Sequence, residues 1–168
     1  GKSLSRILSR MAHEIAERNT DGSDVVLVGI QRGGVGVADR LRSLLSAIWT
    51  EAVPTGNLDV GMHRDDLNHR MTPEIYPTTI PFDVSGKIVV LVDDVLFSGR
   101  TVRAAMDSLN DFGRPKAIQL AVMIDRGCRE LPIHADFVGK KIQTSPEERI
   151  RVELKENGAD DEVFLEMA

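Results

Sequence analysis

The sequence predicts a single α/β domain over residues 1–168, in which helices flank a central, mostly parallel β-sheet. Three apolar runs lead to this prediction: residues 24–30, 88–92 and 117–124 are rich in β-branched side chains and too short for free-standing helices. Such runs are typical of strands that are buried on both faces, as in a parallel sheet. The first two are each followed by a small-residue turn and then by apolar residues at helical spacing, which is the element order of an α/β fold.

The composition restricts the classes of function. A chain of 168 residues with a net charge of −5 gives no overall signal for nucleic-acid binding, so any RNA contact requires a local basic patch. The lone Cys128 excludes an internal disulfide and offers no cysteine-based metal cluster. No apolar run has membrane-spanning length and no secretory leader is visible, so we expect a soluble, cytoplasmic protein.

An amphipathic helix is predicted near the start of the chain, because apolar residues between positions 3 and 18 recur at spacings of three and four. Its other face is polar and mostly basic: Arg6, Arg10, His13, Glu14 and Arg18. For an isolated helix, such a face is interpreted most simply as a solvated surface.

Two carboxylates, Asp93 and Asp94, follow the apolar run 88–92, at the point where the strand is expected to end. The loop 97–101 comes next and leads into a helix, whose backbone N–H groups, approached closely at Gly99, can hold a phosphomonoester. The acidic pair would repel that phosphate but can accept hydrogen bonds from the 2′- and 3′-hydroxyls of a ribose. The alternative is a plain strand–helix turn with a capping serine and a coincidental acidic pair.

Residues 90–109, VLVDDVLFSGRTVRAAMDSL, resemble the phosphoribosyl-diphosphate (PRPP) signature of type I phosphoribosyltransferases. The match is closest to the bifunctional regulators of the bacterial pyrimidine operon, which are also uracil phosphoribosyltransferases. The segments RGCRELP at 126–132 and GKKIQTS at 139–145 narrow the resemblance to these regulators. The resemblance covers almost the whole chain and implies the type I phosphoribosyltransferase fold, with a flexible lid loop at about 65–81. It implies PRPP contacts from one continuous segment: Asp93, Asp94, Val95, Leu96, Phe97, Ser98, Gly99, Arg100 and Thr101.

A second anion-binding turn is predicted at Gln31-Arg32-Gly33, directly after the strand 24–30. Arg32 adds a fixed positive charge whose bidentate geometry suits phosphate oxygens. In the resembled family this turn is the pyrophosphate loop, which often contains an unusual non-proline peptide bond, and Gln31 stands where threonine is usual. Ordinary loop glycines are the alternative interpretation.

A strand is predicted at 57–62, followed by a polar segment whose prolines oppose a helix. Long loops of this kind are commonly lids, and Arg64 lies where it could reach a diphosphate. The resemblance supports that role, with His63 in place of the usual tyrosine. From the residue types alone, a surface network of Arg64 with Asp65 and Asp66 is equally good.

The base is expected at the end of the strand 117–124, where Ile124, Asp125 and Arg126 would contact it, largely through backbone groups. In the 6-oxopurine branch of the superfamily an acid occupies the position of Phe97. Phenylalanine cannot transfer a proton, which favours uracil over hypoxanthine or guanine. Near the C-terminus, alternation at 149–154 and 163–165 around Asn157-Gly158 predicts a small β-hairpin.

The resemblance therefore implies an enzyme that makes uridine monophosphate (UMP) and diphosphate from uracil and PRPP. It implies Asp93, Asp94, Arg32 and Arg64 as catalytic residues, Mg²⁺ bound through PRPP without a direct protein ligand, and a homo-oligomer. It also implies a second function, UMP- or UTP-responsive binding of pyrimidine-operon leader RNA. The RNA-binding residues implied are Ser9, Arg10, His13, Arg18, Arg129 and Lys140, while Cys128 and His134 depart from the family wording. Two alternatives stay open: a transferase acting on another base, and a nucleotide-sensing regulator without turnover.

Overall fold

The structure is a computed structural model that describes residues 2–61, 76–156 and 160–167. The helices are α1 (Lys2–Arg18), α2 (Gly33–Trp49) and α3 (Arg100–Leu109), and a 3₁₀ turn, Asn110–Phe112, follows α3. The strands are β1 (Val25–Ile30), β2 (Thr55–Leu58), β3 (Ile88–Leu96), β4 (Ala117–Asp125), β5 (Phe137–Lys141), β6 (Glu148–Glu153) and β7 (Glu162–Met167).

In the described part of the chain, a five-stranded sheet has the order β2-β1-β3-β4-β5, and all of its neighbouring strands pair in parallel. The chain leaves β1 towards β2 on one side and leaves β3 towards β4 on the other. The strand order therefore reverses between β1 and β3, and parallel α/β sheets bind ligands outside the carboxyl ends of strands at such a point.

The core has two layers, one on each face of this sheet. Along β3, Val90 and Val92 belong to the layer beneath α1 and α2, whereas Val89 and Leu91 belong to the layer beneath α3. All four side chains are completely buried. The prediction of strands buried on both faces is confirmed, and it holds because successive side chains alternate across a strand that is covered twice.

Helix α1 follows the predicted apolar stripe, with Leu8, Met11 and Ile15 buried against the sheet. A pair of buried amides links its end to β4: Asn19 and Gln119 donate to each other's side-chain oxygens at 2.9 and 3.0 Å. Both side chains thus satisfy their polar atoms inside the protein, as buried polar groups generally do.

The predicted C-terminal hairpin is confirmed as the antiparallel pair β6–β7, in which Ile150 faces Leu165. Its turn at Asn157-Gly158 lies outside the described residues. Ile150 is buried in the layer shared with α1 and α2. Arg40 of α2 also holds the hairpin, because its guanidinium binds the carboxylates of Glu156 and Asp161 at 2.6 to 2.9 Å.

The structure corrects two predicted strand boundaries. β3 does not end before Asp93 but runs on to Leu96, because β4 continues beside it and keeps the ladder paired up to Leu96–Asp125. β2 spans Thr55–Leu58 instead of 57–62, because its only ladder partner in the described sheet, β1, ends at Ile30 opposite Leu58.

Among the described residues, no helix combines the length and the apolar content that crossing a bilayer requires.

Candidate active site

The predicted ligand-binding segments meet at the carboxyl edge of the sheet, where the strand order reverses. Gly29 of β1 lies opposite Val92 of β3, so the residues that follow each of them emerge side by side. On the other flank Leu96 of β3 pairs with Asp125 of β4, and the N–H of Arg126 donates to the carbonyl of Leu96. The turn after β1, the end of β3 and the end of β4 therefore border one site.

The turn after β1 packs directly on the acidic pair. A Cβ atom at Gly33 would collide with the carboxylate of Asp94, and one at Gly34 would collide with the carbonyl oxygen of Val92. Glycine is needed at both positions because no side chain fits between the two segments. This contact brings the backbone of the predicted diphosphate turn against the predicted ribose carboxylates.

Backbone hydrogen bonds orient both carboxylates. Oδ1 of Asp93 accepts the N–H of Asp94 at 2.9 Å, and Oδ1 of Asp94 accepts the N–H of Val95 at 2.8 Å. The Asp93 side chain is buried, at 6% exposure, while Asp94 is partly exposed at the site edge. The two side chains thus have fixed directions before any ligand binds, which is what orienting a diol requires.

The segment after β4 holds the loop between β3 and α3 through hydrogen bonds. Gly99, with a φ of 93°, is the residue before the first turn of α3, a left-handed conformation that favours glycine. The carbonyl of Ser98 accepts the N–H groups of Glu130 and Leu131 at 3.0 and 3.1 Å. The helix begins at Arg100, so Arg100 and Thr101 lie in its first turn and not in the loop as predicted. This arrangement directs the N-terminal amides of α3 at the site edge, where an anion would be stabilised.

The largely buried side chain of Arg129 also supports this loop. Its guanidinium donates to the carbonyls of Phe97, Gly127 and Ile133 at 2.9 to 3.0 Å and to the carboxylate of Asp125 at 2.7 Å. The side chain is 18% exposed. These contacts tie Arg129 to the loops at the candidate site, and the RNA contact expected of this residue stays a prediction.

Arg126 is buried at 6% exposure and joins the site to the hairpin. Its guanidinium stacks 4.1 Å from the centre of the Phe97 ring and donates to the Thr144 hydroxyl and to the carbonyls of Ser145 and Glu148. Because these contacts occupy the Arg126 side chain, a base at Ile124–Arg126 would meet backbone groups or Asp125, and the base contact stays a prediction.

Arg32 lies at the start of α2, and the peptide bond between Gln31 and Arg32 is cis. Its guanidinium donates to the hydroxyl of Tyr76 at 2.8 Å, with the Tyr76 ring centre 5.3 Å away. The side-chain amide of Gln31 reaches the carbonyl of Pro77 at 3.4 Å. The sequence indicates no role for Tyr76, because a lone tyrosine in a proline-bearing segment carries no pattern that points to a residue 44 positions earlier.

Asp59 is a second polar residue at the site edge that sequence reasoning missed. Its carboxylate accepts the N–H of Gly61 at 2.9 Å and the N–H of Tyr76 at 2.7 Å, and its own N–H donates to the Thr78 hydroxyl. No sequence signal pointed to it, because the predicted strand 57–62 encloses Asp59, whereas the observed β2 ends just before it at Leu58. Arg64 and His63, with most of the predicted lid at 65–81, lie outside the described residues, and their roles stay predictions.

The remaining RNA candidates lie on α1 and on β5, against which α1 packs. Arg10 donates to the carbonyls of Val138 and Gly139 and to the carboxylate of Glu14. The imidazole of His13 contacts the carbonyl of Ser9, and Arg18 donates to Asp136 at 2.7 Å. Lys140 is an exposed residue of β5. Ser9, Arg10, His13, Arg18 and Lys140 thus lie on two elements that pack together.

No group of three or more His, Cys, Asp or Glu side chains that could hold a metal ion occurs within the described ranges. Mg²⁺ usually keeps several waters and binds substrate phosphates, and Asp93 and Asp94 place negative charge near the predicted diphosphate turn that such an ion favours. The residues present therefore fit a Mg²⁺ that arrives with a phosphorylated substrate.

Comparison with known proteins identifies relatives along almost the whole chain. Residues 2–157 match the family described as "Phosphoribosyl transferase domain". A protein of Roseiflexus sp. strain RS-1 named "Bifunctional protein PyrR" is 56% identical over 164 residues, 96% of this chain and 90% of that protein. Its namesake in Streptomyces coelicolor is 52% identical over 166 residues, 98% of this chain and 86% of that protein.

Among solved structures, a hypoxanthine-guanine phosphoribosyltransferase of Bacillus anthracis superposes with a TM-score of 0.68 at 20% identity, covering 88% of this chain and 82% of that one. At this level of identity the likeness shows the fold alone, and it confirms the predicted sheet flanked by helices.

Proposed function

Because this chain belongs to the phosphoribosyl transferase family and, within it, to the bifunctional PyrR proteins, we propose that it transfers the phosphoribosyl group of PRPP to uracil. The products are UMP and diphosphate. The observation that carries the proposal is the contact of the glycine turn after β1 with the Asp94 carboxylate, which joins a diphosphate subsite to a ribose subsite.

In this proposal Asp93 and Asp94 bind the ribose. Their carboxylates accept hydrogen bonds from the 2′- and 3′-hydroxyls, and each is already oriented by a backbone N–H. Breaking the bond at C1 of the ribose builds positive charge on the sugar ring. Two adjacent carboxylates stabilise that charge, and they do so most where water is excluded.

The departing diphosphate gains negative charge in the same step. Arg32 and the N–H groups at the start of α2 stabilise this charge, since the helix begins at Gly33 directly after Arg32. Mg²⁺ carried by PRPP would add positive charge at the diphosphate. The 5′-phosphate binds at the other helix start, with the residues of 97–101 as its donors.

The base lies beside β4 in this arrangement, with Ile124, Asp125 and Arg126 as the candidate contacts. Phe97 stacks on Arg126 and offers no acid or base to a purine. Uracil needs no such group at this position, so phenylalanine at 97 supports the pyrimidine assignment.

The deciding experiment measures product formation from PRPP with uracil, hypoxanthine or guanine, each with and without Mg²⁺. We expect UMP from uracil in the presence of Mg²⁺ and no nucleotide from either purine. Turnover of hypoxanthine without turnover of uracil would contradict the base assignment. UMP binding detected by calorimetry without turnover of any base would instead identify a nucleotide sensor.

A second proposed function is RNA binding, controlled by UMP or UTP, at the surface formed by Ser9, Arg10, His13, Arg18 and Lys140. The observation that favours it is that α1 and β5 pack together and carry these mostly basic residues, although the chain as a whole is acidic. Arg and Lys contacts to phosphates would supply most of the affinity and make it depend on salt. Loop bases of the RNA would supply the specificity.

A gel-shift series with pyrimidine-operon leader RNA tests this function, with and without UMP. Each phosphate contact contributes about 0.7 to 0.9 to the slope of log affinity against log salt, so changing Lys140 to Gln should lower the slope by about that amount. Arg103→Gln is the matched control, because it removes a positive charge from α3 on the opposite face of the sheet. No binding at low salt, with UMP present, would reject the regulatory function.

We further propose that the protein acts in the cytoplasm as a homo-oligomer and that residues 1–168 form one domain. Sedimentation of the purified chain at several concentrations tests the oligomer.

A further inference from the structure

The side chain of Arg32 is held by an aromatic residue from a distant part of the chain. Its guanidinium donates to the Tyr76 hydroxyl at 2.8 Å, and its central carbon lies 5.3 Å from the centre of the Tyr76 ring. One tyrosine therefore restrains this arginine twice, through a hydrogen bond and through a cation–π contact.

Tyr76 is in turn anchored to the end of β2. Its N–H donates to the Asp59 carboxylate at 2.7 Å, and Thr79 exchanges two backbone hydrogen bonds of 2.8 Å with Asn57. β2 itself pairs with β1, and the N–H of Gln31 donates to the carbonyl of Leu58. A continuous set of hydrogen bonds, through the Asp59 carboxylate and the backbone of β2 and β1, thus fixes Tyr76 relative to the turn that carries Arg32.

We propose that Tyr76 is a positioning residue that holds the Arg32 guanidinium ready for the diphosphate of PRPP. This inference rests on the proposed function. An unrestrained arginine loses much rotamer freedom when it binds an anion, so an arginine that is already held binds more tightly. Tyr76 is partly exposed and belongs to neither layer of the core, so its contact with Arg32 is more than a by-product of core packing.

The test is a double-mutant cycle of Tyr76 and Arg32, read as KM for PRPP, KM for uracil and the dissociation constant of diphosphate by calorimetry. Tyr76→Leu should raise KM for PRPP and weaken diphosphate binding by roughly 10-fold, with KM for uracil unchanged. Tyr76→Phe keeps the ring and loses the hydroxyl, so it should raise KM for PRPP and weaken diphosphate binding by only about 2- to 3-fold.

The cycle separates positioning from a general structural effect. If Tyr76 acts through Arg32, then Tyr76→Leu has no further effect once Arg32 is alanine. Equal effects of Tyr76→Leu in both backgrounds, or a rise in KM for uracil as large as that for PRPP, would overturn the inference. If Tyr76→Leu lowers the melting temperature, the Tyr76→Phe variant alone decides, because it keeps the packing. Unchanged diphosphate affinity in that variant would then count against the proposal.

Thr79→Ala is the matched control, because Thr79 is exposed and holds the same segment through its backbone alone. We expect wild-type constants for it. The two proposals fail separately: absence of UMP formation by the wild type contradicts the transferase, whereas diphosphate affinity that is equal in all Tyr76 variants contradicts the positioning role.

Discussion

Two polar regions of this protein, the crevice between β1 and β3 and the attachment of the β6–β7 hairpin, are stabilised by different means. At the crevice the contacts are short and involve the backbone, since Gly33 lies against the Asp94 carboxylate and N–H groups hold both aspartates. At the hairpin the contacts involve long charged side chains, with Arg40 binding Glu156 and Asp161 and Arg126 binding the segment before β6.

The difference teaches where each region is vulnerable. Backbone contacts leave no room for added atoms, so the crevice is sensitive to a single methyl group but little affected by salt. Ion pairs at a partly exposed surface depend on pH and ionic strength. Four predictions test this comparison, and they run from the largest expected effect to the smallest.

Removing charge from the crevice should abolish most of the activity without unfolding the protein. Asp93→Asn and Arg32→Ala should each reduce uracil turnover by about 100-fold or more, as expected for losing a transition-state contact. Asparagine at 93 can still accept the Asp94 N–H, so the melting temperature should be unchanged or higher. Asp111→Asn and Arg42→Ala remove the same charges from exposed sites and serve as controls. Near-normal turnover in both site variants would show that the site is misplaced.

Adding one methyl group to the crevice should also be costly. Gly33→Ala forces a Cβ into the Asp94 carboxylate, and we expect a loss of about 10- to 100-fold in kcat/KM because a small displacement of catalytic groups has effects of this size. Gly36→Ala, in the same helix, meets only the flexible end of Leu154 and should retain activity. Equal activity of the two variants would contradict the packing argument.

Removing the buried contacts of Arg126 with the hairpin should lower the free energy of unfolding more than removing an exposed ion pair within the hairpin. Arg126→Leu removes the partners of Thr144, Ser145 and Glu148 and the stack on Phe97, and should lower the free energy of unfolding by about 2 kcal/mol. Arg151→Leu breaks the exposed pairs with Glu153 and Glu166 and the contact with the Phe164 ring, and should cost about 0.5 kcal/mol. Urea denaturation of both variants measures the difference, and similar losses would argue against the role of Arg126.

The surface attachment should depend on acid pH. The Arg40 guanidinium lowers the pKa of Asp161 to about 2 from its usual 3.8 and also lowers the pKa of Glu156. A carboxylate whose pKa is lowered by folding stabilises the protein above its unfolded pKa, and this stability is lost as pH falls through the folded value. Asp161→Asn should therefore reduce the free energy of unfolding by about 1 kcal/mol at pH 6, and the difference should disappear between about pH 4 and pH 2. A difference that stays constant down to pH 2 would exclude the ion pair as its cause.

Much of the fold follows from local patterns. The apolar runs at β1, β3 and β4 are buried on both faces as their composition indicates, and α1 buries the stripe that its spacing predicts. The hairpin follows from alternation on either side of the Asn157-Gly158 turn signal. The segments 31–33 and 93–101, predicted to bind the substrate, lie at the edge of the sheet as expected, because turns after parallel strands share that edge.

Local patterns do not determine where strands end or which distant side chains meet. β3 extends through Asp93 because β4 runs beside it, and β4 lies more than 20 residues further along the chain. Arg129 carries the same positive charge as any surface arginine, yet three carbonyls and a carboxylate surround it in the folded protein.

The sequence by itself determined the α/β class and predicted the ligand-binding turns, because periodicity, glycine and charge act within a few neighbouring residues. The family followed from the resemblance of whole segments such as 90–109 to known signatures. Only the tertiary structure decided that Tyr76 restrains Arg32 and that Gly33 packs on Asp94. These contacts join segments that are 44 and 61 positions apart, and their geometry depends on how the whole sheet is assembled.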